Sequence, residues 1–266
     1  SPFERERKLS KNKAPPPGRV AMILLYVCIV AFLAGFIQGF SGFGSVLLSL
    51  PLLALFLDMR EVVPLVSLYA LFLTAVLFIQ LRSFIHWRTV GILVAGALPG
   101  VPAGVYLLKY VPSFVIETLA GVTLVLFSLA QLFLKIAKAP DGLPWTLVFG
   151  FLGGCFGGAI GASGPPVILY TALQPWDKNT IKATLQGFFL FAGLLVVIAQ
   201  AYSGFMTWPV LRFFGLGFPF LMAGTFAGSF FYGSLRTEGY QRVLFVLLCL
   251  LGVFMVLKGV FIDVAP

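Results

Sequence analysis

From Val20 to Val260 the chain is an almost unbroken series of apolar runs. Wound as helices, runs of roughly 20 such residues match the hydrocarbon thickness of a bilayer. In lipid, every backbone amide and carbonyl must be satisfied inside a helix or a closed barrel. Barrel strands alternate apolar and polar residues, and these runs do not alternate. The expected fold class is therefore an all-α polytopic membrane protein. Charged residues make up 10% of the 266, against roughly 25% in ordinary soluble domains, so the chain is not an ordinary soluble domain.

The net charge of +9 is unevenly placed. Residues 1–19 carry Arg5, Arg7, Lys8, Lys11, Lys13 and Arg19 against Glu4 and Glu6, a balance of +4, and end near Pro15-Pro16-Pro17-Gly18. Such a stretch predicts a flexible basic tail on the cytoplasmic side. A basic start before an apolar run is also the order of a signal peptide. Here the run is longer than a signal core and passes straight into more apolar sequence, so a retained first helix is expected. Cys28, Cys155 and Cys249 sit in separate apolar runs, which predicts neither a disulfide framework nor a metal site. No nucleotide fingerprint, phosphate-binding loop or metal-ligand cluster is present, so neither ATP-driven transport nor a cofactor is expected. The basic tail reads as a cytosolic anchor ahead of a nucleic-acid binder, so no nucleic-acid partner is expected.

Two stretches interrupt the apolar pattern. The first is Gln38-Gly39-Phe40-Ser41-Gly42-Phe43-Gly44-Ser45. The second follows Gly150, Gly154 and Gly158, a side-chain-free stripe that lets another helix approach closely, and breaks at Gly161-Ala162-Ser163-Gly164-Pro165-Pro166. Ser163 reads as a helix N-cap and the prolines as first-turn residues. Each break is followed by a short apolar piece, a turn with an aspartate (Asp58, Asp177), a full apolar run, a run containing proline (Pro99, Pro219) and a last run. At an offset of 119, Gly35 falls on Gly154, Gly39 on Gly158, Gly42 on Gly161 and Asp58 on Asp177. The expected organisation is a tail (1–19) and two transmembrane repeats (20–138 and 139–266), with a linker near Lys135, Lys138 and Pro140. If every piece spans, there are ten crossings and the repeats are inverted. If the short pieces at 46–57 and 163–173 re-enter, there are eight and the repeats are parallel. Positive charge at Arg82, Arg88, Lys135 and Lys138 favours the second layout.

The two breaks, as a pair, resemble the Gly-rich segments of the TauE/SafE family of sulfite and organosulfonate exporters. Lys182-Ala183-Thr184-Leu185, after the second break, also looks like that family. The resemblance covers residues 20–262. It implies a multi-pass transporter of the bacterial inner membrane whose substrate is a small sulfur-containing anion.

The residues themselves point to where such an anion would bind. Helices starting at Gly44-Ser45 and Gly164-Pro165 present unpaired N–H groups and the positive ends of their dipoles inside the membrane. Ser41, Ser45 and Ser163 add hydroxyls, and Gly42 gives close backbone approach. Gln38 and Gln186 are polar groups deep in apolar runs, placed to orient a substrate. Lys182, four residues before Gln186, reads as a snorkelling lysine. The plainer alternative is that the serines cap helices and the glycines serve packing. Glu117 is the carboxylate inside an apolar run; it is the natural relay if transport is proton-coupled, or it faces headgroup water. The proline-containing runs are expected to flex at Pro99 and Pro219. Trp87, Trp145, Trp176 and Trp208 sit at segment ends, as interfacial anchors do.

Two rival functions draw on the same residues. An anion channel would use the same scaffold. Gly161-Ala162-Ser163-Gly164 also matches the G-x-S-G pattern of intramembrane serine proteases, but such a serine needs a base within reach. The single histidine, His86, lies in the polar loop with Arg82 and Arg88. The expected function is export of sulfite or an organosulfonate, with no enzyme activity. Coupling ion and homo-oligomerisation stay open.

Overall fold

The structure is a computed structural model, and it describes residues 17–41, 44–133, 142–230 and 237–261. The described residues form ten α-helices: α1 (Pro17–Ser41), α2 (Ser45–Leu53), α3 (Met59–Leu81), α4 (Trp87–Tyr110), α5 (Ser113–Phe133), α6 (Leu143–Ile160), α7 (Gly164–Ala172), α8 (Lys178–Tyr202), α9 (Trp208–Phe230) and α10 (Thr237–Phe261). Seven of them, α1, α3 to α6, α8 and α9, are long and apolar enough to cross a membrane. The chain is a multi-pass membrane protein. The tail before Pro17 and the linker around Lys135 and Lys138 lie outside the described residues.

Both aspartate turns are helix caps. Asp58 accepts the Arg60 amide at 2.8 Å and the Ser113 hydroxyl at 2.8 Å. Asp177 accepts the amides of Asn179 and Thr180 and the Thr180 hydroxyl. The Thr180 hydroxyl bond is the main reason its carboxyl is held below the ordinary aspartate value. A negative cap also suits the positive end of a helix dipole.

The short helices do not span. Each has nine residues, about 13 Å at 1.5 Å per residue, less than half of a ~30 Å hydrocarbon layer. Instead each folds back along the helix before it. In the first pair, Tyr26 of α1 donates to the Leu52 carbonyl at 2.7 Å and packs on Phe56, while Gln38 meets Ser45. In the second, Thr146 bonds Tyr170 at 2.7 Å, Phe149 packs on Tyr170, and Gly157 lies against Ser163. Thus α1–α2 and α6–α7 are helical hairpins that return to the side they start from.

Packing directions then settle the layout. Helix α3 runs antiparallel to α8, with Ser67 opposite Gln200 and Phe78 opposite Phe191. Helices α5 and α10 are also antiparallel, with Glu117 at Lys258 and Phe127 at Phe245. The re-entrant hairpins match the eight-crossing layout, but the opposed directions match the inverted one. Helices α1 and α6 are each long and apolar enough to cross, and each is also the first arm of a hairpin whose second arm is short. Arg82 and Arg88 consequently lie at the opposite end of α3 from the start of α1, not on its side.

Glycine fixes which helices touch. Gly35 and Gly39 of α1 lie on the backbone of α9 at Leu221 and Thr225, and Gly224 and Gly228 of α9 lie on α1 at Phe32 and Phe36. Likewise Gly96, Gly100 and Gly104 of α4 rest on α6 at Leu147, Phe151 and Cys155. Each hairpin is therefore seated on the proline-containing helix of the other half. Those helices are not interrupted as expected: α4 continues through Pro99 and Pro102, and α9 through Pro219. Tolerance of proline is common in membrane helices because neighbours and local adjustment satisfy the freed carbonyls.

Backbone atoms would obstruct any side chain at these glycines. Gly104→Val should lower stability by about 1–3 kcal/mol, read as a lower melting temperature in detergent. Gly215→Ala, at a helical position with open space around it, should leave the melting temperature unchanged or slightly raised.

Candidate functional site: a cavity between two hairpin tips

The tips of the two hairpins meet between α3 and α8 and line a cavity with an open mouth. Hairpin one contributes Gln38, Gly44, Ser45, Val46 and Leu47, and hairpin two contributes residues 161–164 and Ile168. Ser67, Ala70, Leu71 and Thr74 of α3 and Phe189, Gly193 and Val196 of α8 form the walls. Among the described residues, no acidic, basic or histidine side chain lines it.

Of the residues singled out from sequence, Gln38, Gly44, Ser45, Ser163 and Gly164 come together here. Gln186 is buried on the cavity-facing side of α8, one turn before Phe189, but does not line the cavity. Ser41 ends α1, and its side chain is not among those described; Gly42 lies outside the described residues. Ser67, Thr74 and Phe189 were not singled out. The offset of 119 carries a signal for two wall positions, since it places Ala70 on Phe189 and Thr74 on Gly193, and all four line the cavity.

The two tips solve the same local problem differently. Gly44 caps α2 at φ 106°, a left-handed conformation suited to glycine. The Ser45 amide donates to Gln38 Oε1 at 3.2 Å, so Gln38 acts as a remote cap as well as lining the cavity. The next amides of the first turn, Val46 and Leu47, have no partner within the helix. In hairpin two, the places of Gln38 and Gly44 are taken by Gly157 and Ser163. A side chain at Gly157 would collide with the Ser163 hydroxyl. Ser163 holds the N-cap position as expected but makes no cap bond. The reason is chemical: a capping side chain bonds the N–H of N2 or N3, and these are Pro165 and Pro166. Its hydroxyl is left for the cavity. Two helix N-termini, each equivalent to roughly half a positive charge, thus face a space with hydroxyl and amide donors. That arrangement suits a small anion.

Two other groups lie apart. His86 stacks on Trp176, its Nδ1 is 2.8 Å from the Thr89 hydroxyl, and its amide donates to Thr184 at 3.1 Å. It fastens the α3–α4 turn to α8 and does not line the cavity with Ser163. Glu117 is buried against α10, where Lys258 reaches it at 2.8 Å and also donates to the Ala54 carbonyl at 2.7 Å, at the end of α2. Sequence reading missed Lys258 because the pair is 141 residues apart. Removing one partner strands a buried charge. Glu117→Gln should therefore lower the melting temperature in detergent, and the double variant Glu117→Leu/Lys258→Met should recover most of that loss.

A sequence profile of the family described as Sulfite exporter TauE/SafE matches residues 27–255. The probable sulfite/organosulfonate exporter TauE of Cupriavidus necator is 27% identical over 183 residues, covering 66% of this chain and 70% of that protein. No solved structure matches the chain. With the match running from the first arm of hairpin one into α10, the chain belongs to the TauE/SafE sulfite exporter family, whose members are membrane transporters and not enzymes.

Proposed function

We propose that this protein exports a small sulfur-containing anion, sulfite or an organosulfonate, and that the anion binds between the two hairpin tips. The observation that carries this reading is the convergence of both breaks on one uncharged cavity. Helix dipoles, the Val46, Leu47 and Gly164 amides and the Ser45 and Ser163 hydroxyls supply attraction without a fixed cation, which keeps release feasible. Donors spread over the tips match the three oxygens of a sulfonate or sulfite group. Phe189, Ile168, Val196 and Leu71 offer an apolar wall for a short organic substituent.

The opposed directions of α3 and α8 and of α5 and α10 support descent of the halves 20–138 and 139–266 from one duplicated unit, and access alternating between two sides of a shared site. The mode of action is then a carrier. Location in a bacterial inner membrane, with the basic tail cytoplasmic, belongs to the same reading. The exposed Arg82, Arg88 and Lys178 at the other end of the molecule oppose that orientation, so the tail's +4 is what decides it. Proton coupling through Glu117 would require its carboxylate to exchange Lys258 for a proton during the cycle.

Flux of sulfite, ethanesulfonate, thiosulfate and sulfate into proteoliposomes tests the proposal, with and without a proton gradient. Saturable flux of a sulfite or sulfonate is expected, reduced roughly tenfold or more by Ser163→Leu, which removes a donor to a charged group and fills the cavity. No flux of any sulfur anion would refute the function. Full flux in Ser163→Leu would move the site elsewhere, and linear, non-saturating flux would favour a channel.

A further inference from the structure

The hydroxyl of Ser67 has one hydrogen, and the protein uses it. Ser67 Oγ donates to the Val63 carbonyl at 2.8 Å and accepts from Gln200 Nε2 at 3.2 Å. Gln200 is fully buried on α8, and its Oε1 has no partner among the described residues, so this amide sits at Ser67 at the expense of its own oxygen. Ser67 also lines the cavity, with its hydroxyl close to Gly161 in the break of hairpin two. A serine hydroxyl offers one donor and two acceptor sites. With the donor and one acceptor site occupied, a lone pair is what remains for a ligand. Exchanging the two ends of the Gln200 amide does not alter this, because the hydroxyl hydrogen would then go to Oε1.

We infer that Ser67, its hydrogen committed to Val63 and its side chain positioned by Gln200, presents an acceptor to the cavity, and that it selects sulfonates carrying an O–H or N–H donor on their organic group. The sulfonate oxygens lie at the hairpin tips, and the donor on the short substituent bonds Ser67 Oγ. An anion of the same size without a donor leaves that lone pair desolvated and unpaired, which a buried site penalises. This selectivity rests on the cavity being the substrate site.

The test is a matched pair, 2-hydroxyethanesulfonate and propane-1-sulfonate, which differ by a hydroxyl in place of a methyl group. The purified full chain in proteoliposomes is assayed for the ratio of kcat/KM for the two. Wild type should favour the hydroxylated anion by roughly tenfold. Ser67→Ala should bring the ratio to within twofold, and Ser67→Thr, which keeps the hydroxyl, should retain most of it. Should Ser67→Ala fail to fold with Gln200 left unpaired, Ser67→Ala/Gln200→Leu takes its place with the same expected ratio. A wild-type ratio within twofold, or a preference that survives loss of the hydroxyl, overturns the inference. Either result would come with sulfonate flux and leave the export reading standing, whereas absence of any sulfonate flux would strike that reading first.

Discussion

A helix that ends inside an apolar medium leaves backbone N–H groups that neither lipid nor water can satisfy. This chain has two such ends, at Ser45 and Gly164, and much of its architecture answers to them. One amide is taken by Gln38 from across the hairpin. Two more do not exist, because Pro165 and Pro166 stand where they would be. The remainder belong to residues that line a shared cavity, and the proposed function makes that cavity the place where the anion binds. Neutral donors and partial charges suffice for this, and a transporter has reason to avoid the deeper well that a lysine or arginine would create.

Holding two broken ends at one point demands rigid supports. Glycine stripes bring α1 onto α9 and α6 onto α4 at backbone contact, so each hairpin rides on a helix from the other half. Around them, α3 and α8 supply the cavity walls and the Ser67–Gln200 bond between them. The hairpins are not held alike. Lys258 ties the end of α2 to α5 and α10 through Ala54 and Glu117, whereas the end of α7 is fastened through Tyr170 to its own partner helix at Thr146.

Much of this was legible in the sequence. Apolar run length gave an all-helical membrane fold, and the paired Gly/Ser breaks marked five of the residues that line the cavity. Direction and contact were harder to read. Hydropathy marks α1 and α6 as long enough to cross, but it cannot show that the short α2 and α7 turn back along them. Nor could it place Gln186 beside the cavity and not in it, since a one-turn shift changes no pattern. Ser67 and Thr74 look like unremarkable hydroxyls in a helix until α8 is laid against them. Glu117, read as a relay only if transport is proton-coupled and otherwise as facing headgroup water, is buried and pairs with a lysine far along the chain, which no local spacing announces.

The central claim is that both hairpin tips touch the same sulfur anion. It is tested most directly by single cysteines at Ser45 and Ser163, in a background lacking Cys28, Cys155 and Cys249, labelled by a sulfonate-bearing thiol reagent in proteoliposomes. Ethanesulfonate should slow labelling at both positions with the same concentration dependence, and an equal concentration of chloride should not. Protection at one tip alone, or at neither, would contradict a site shared between them.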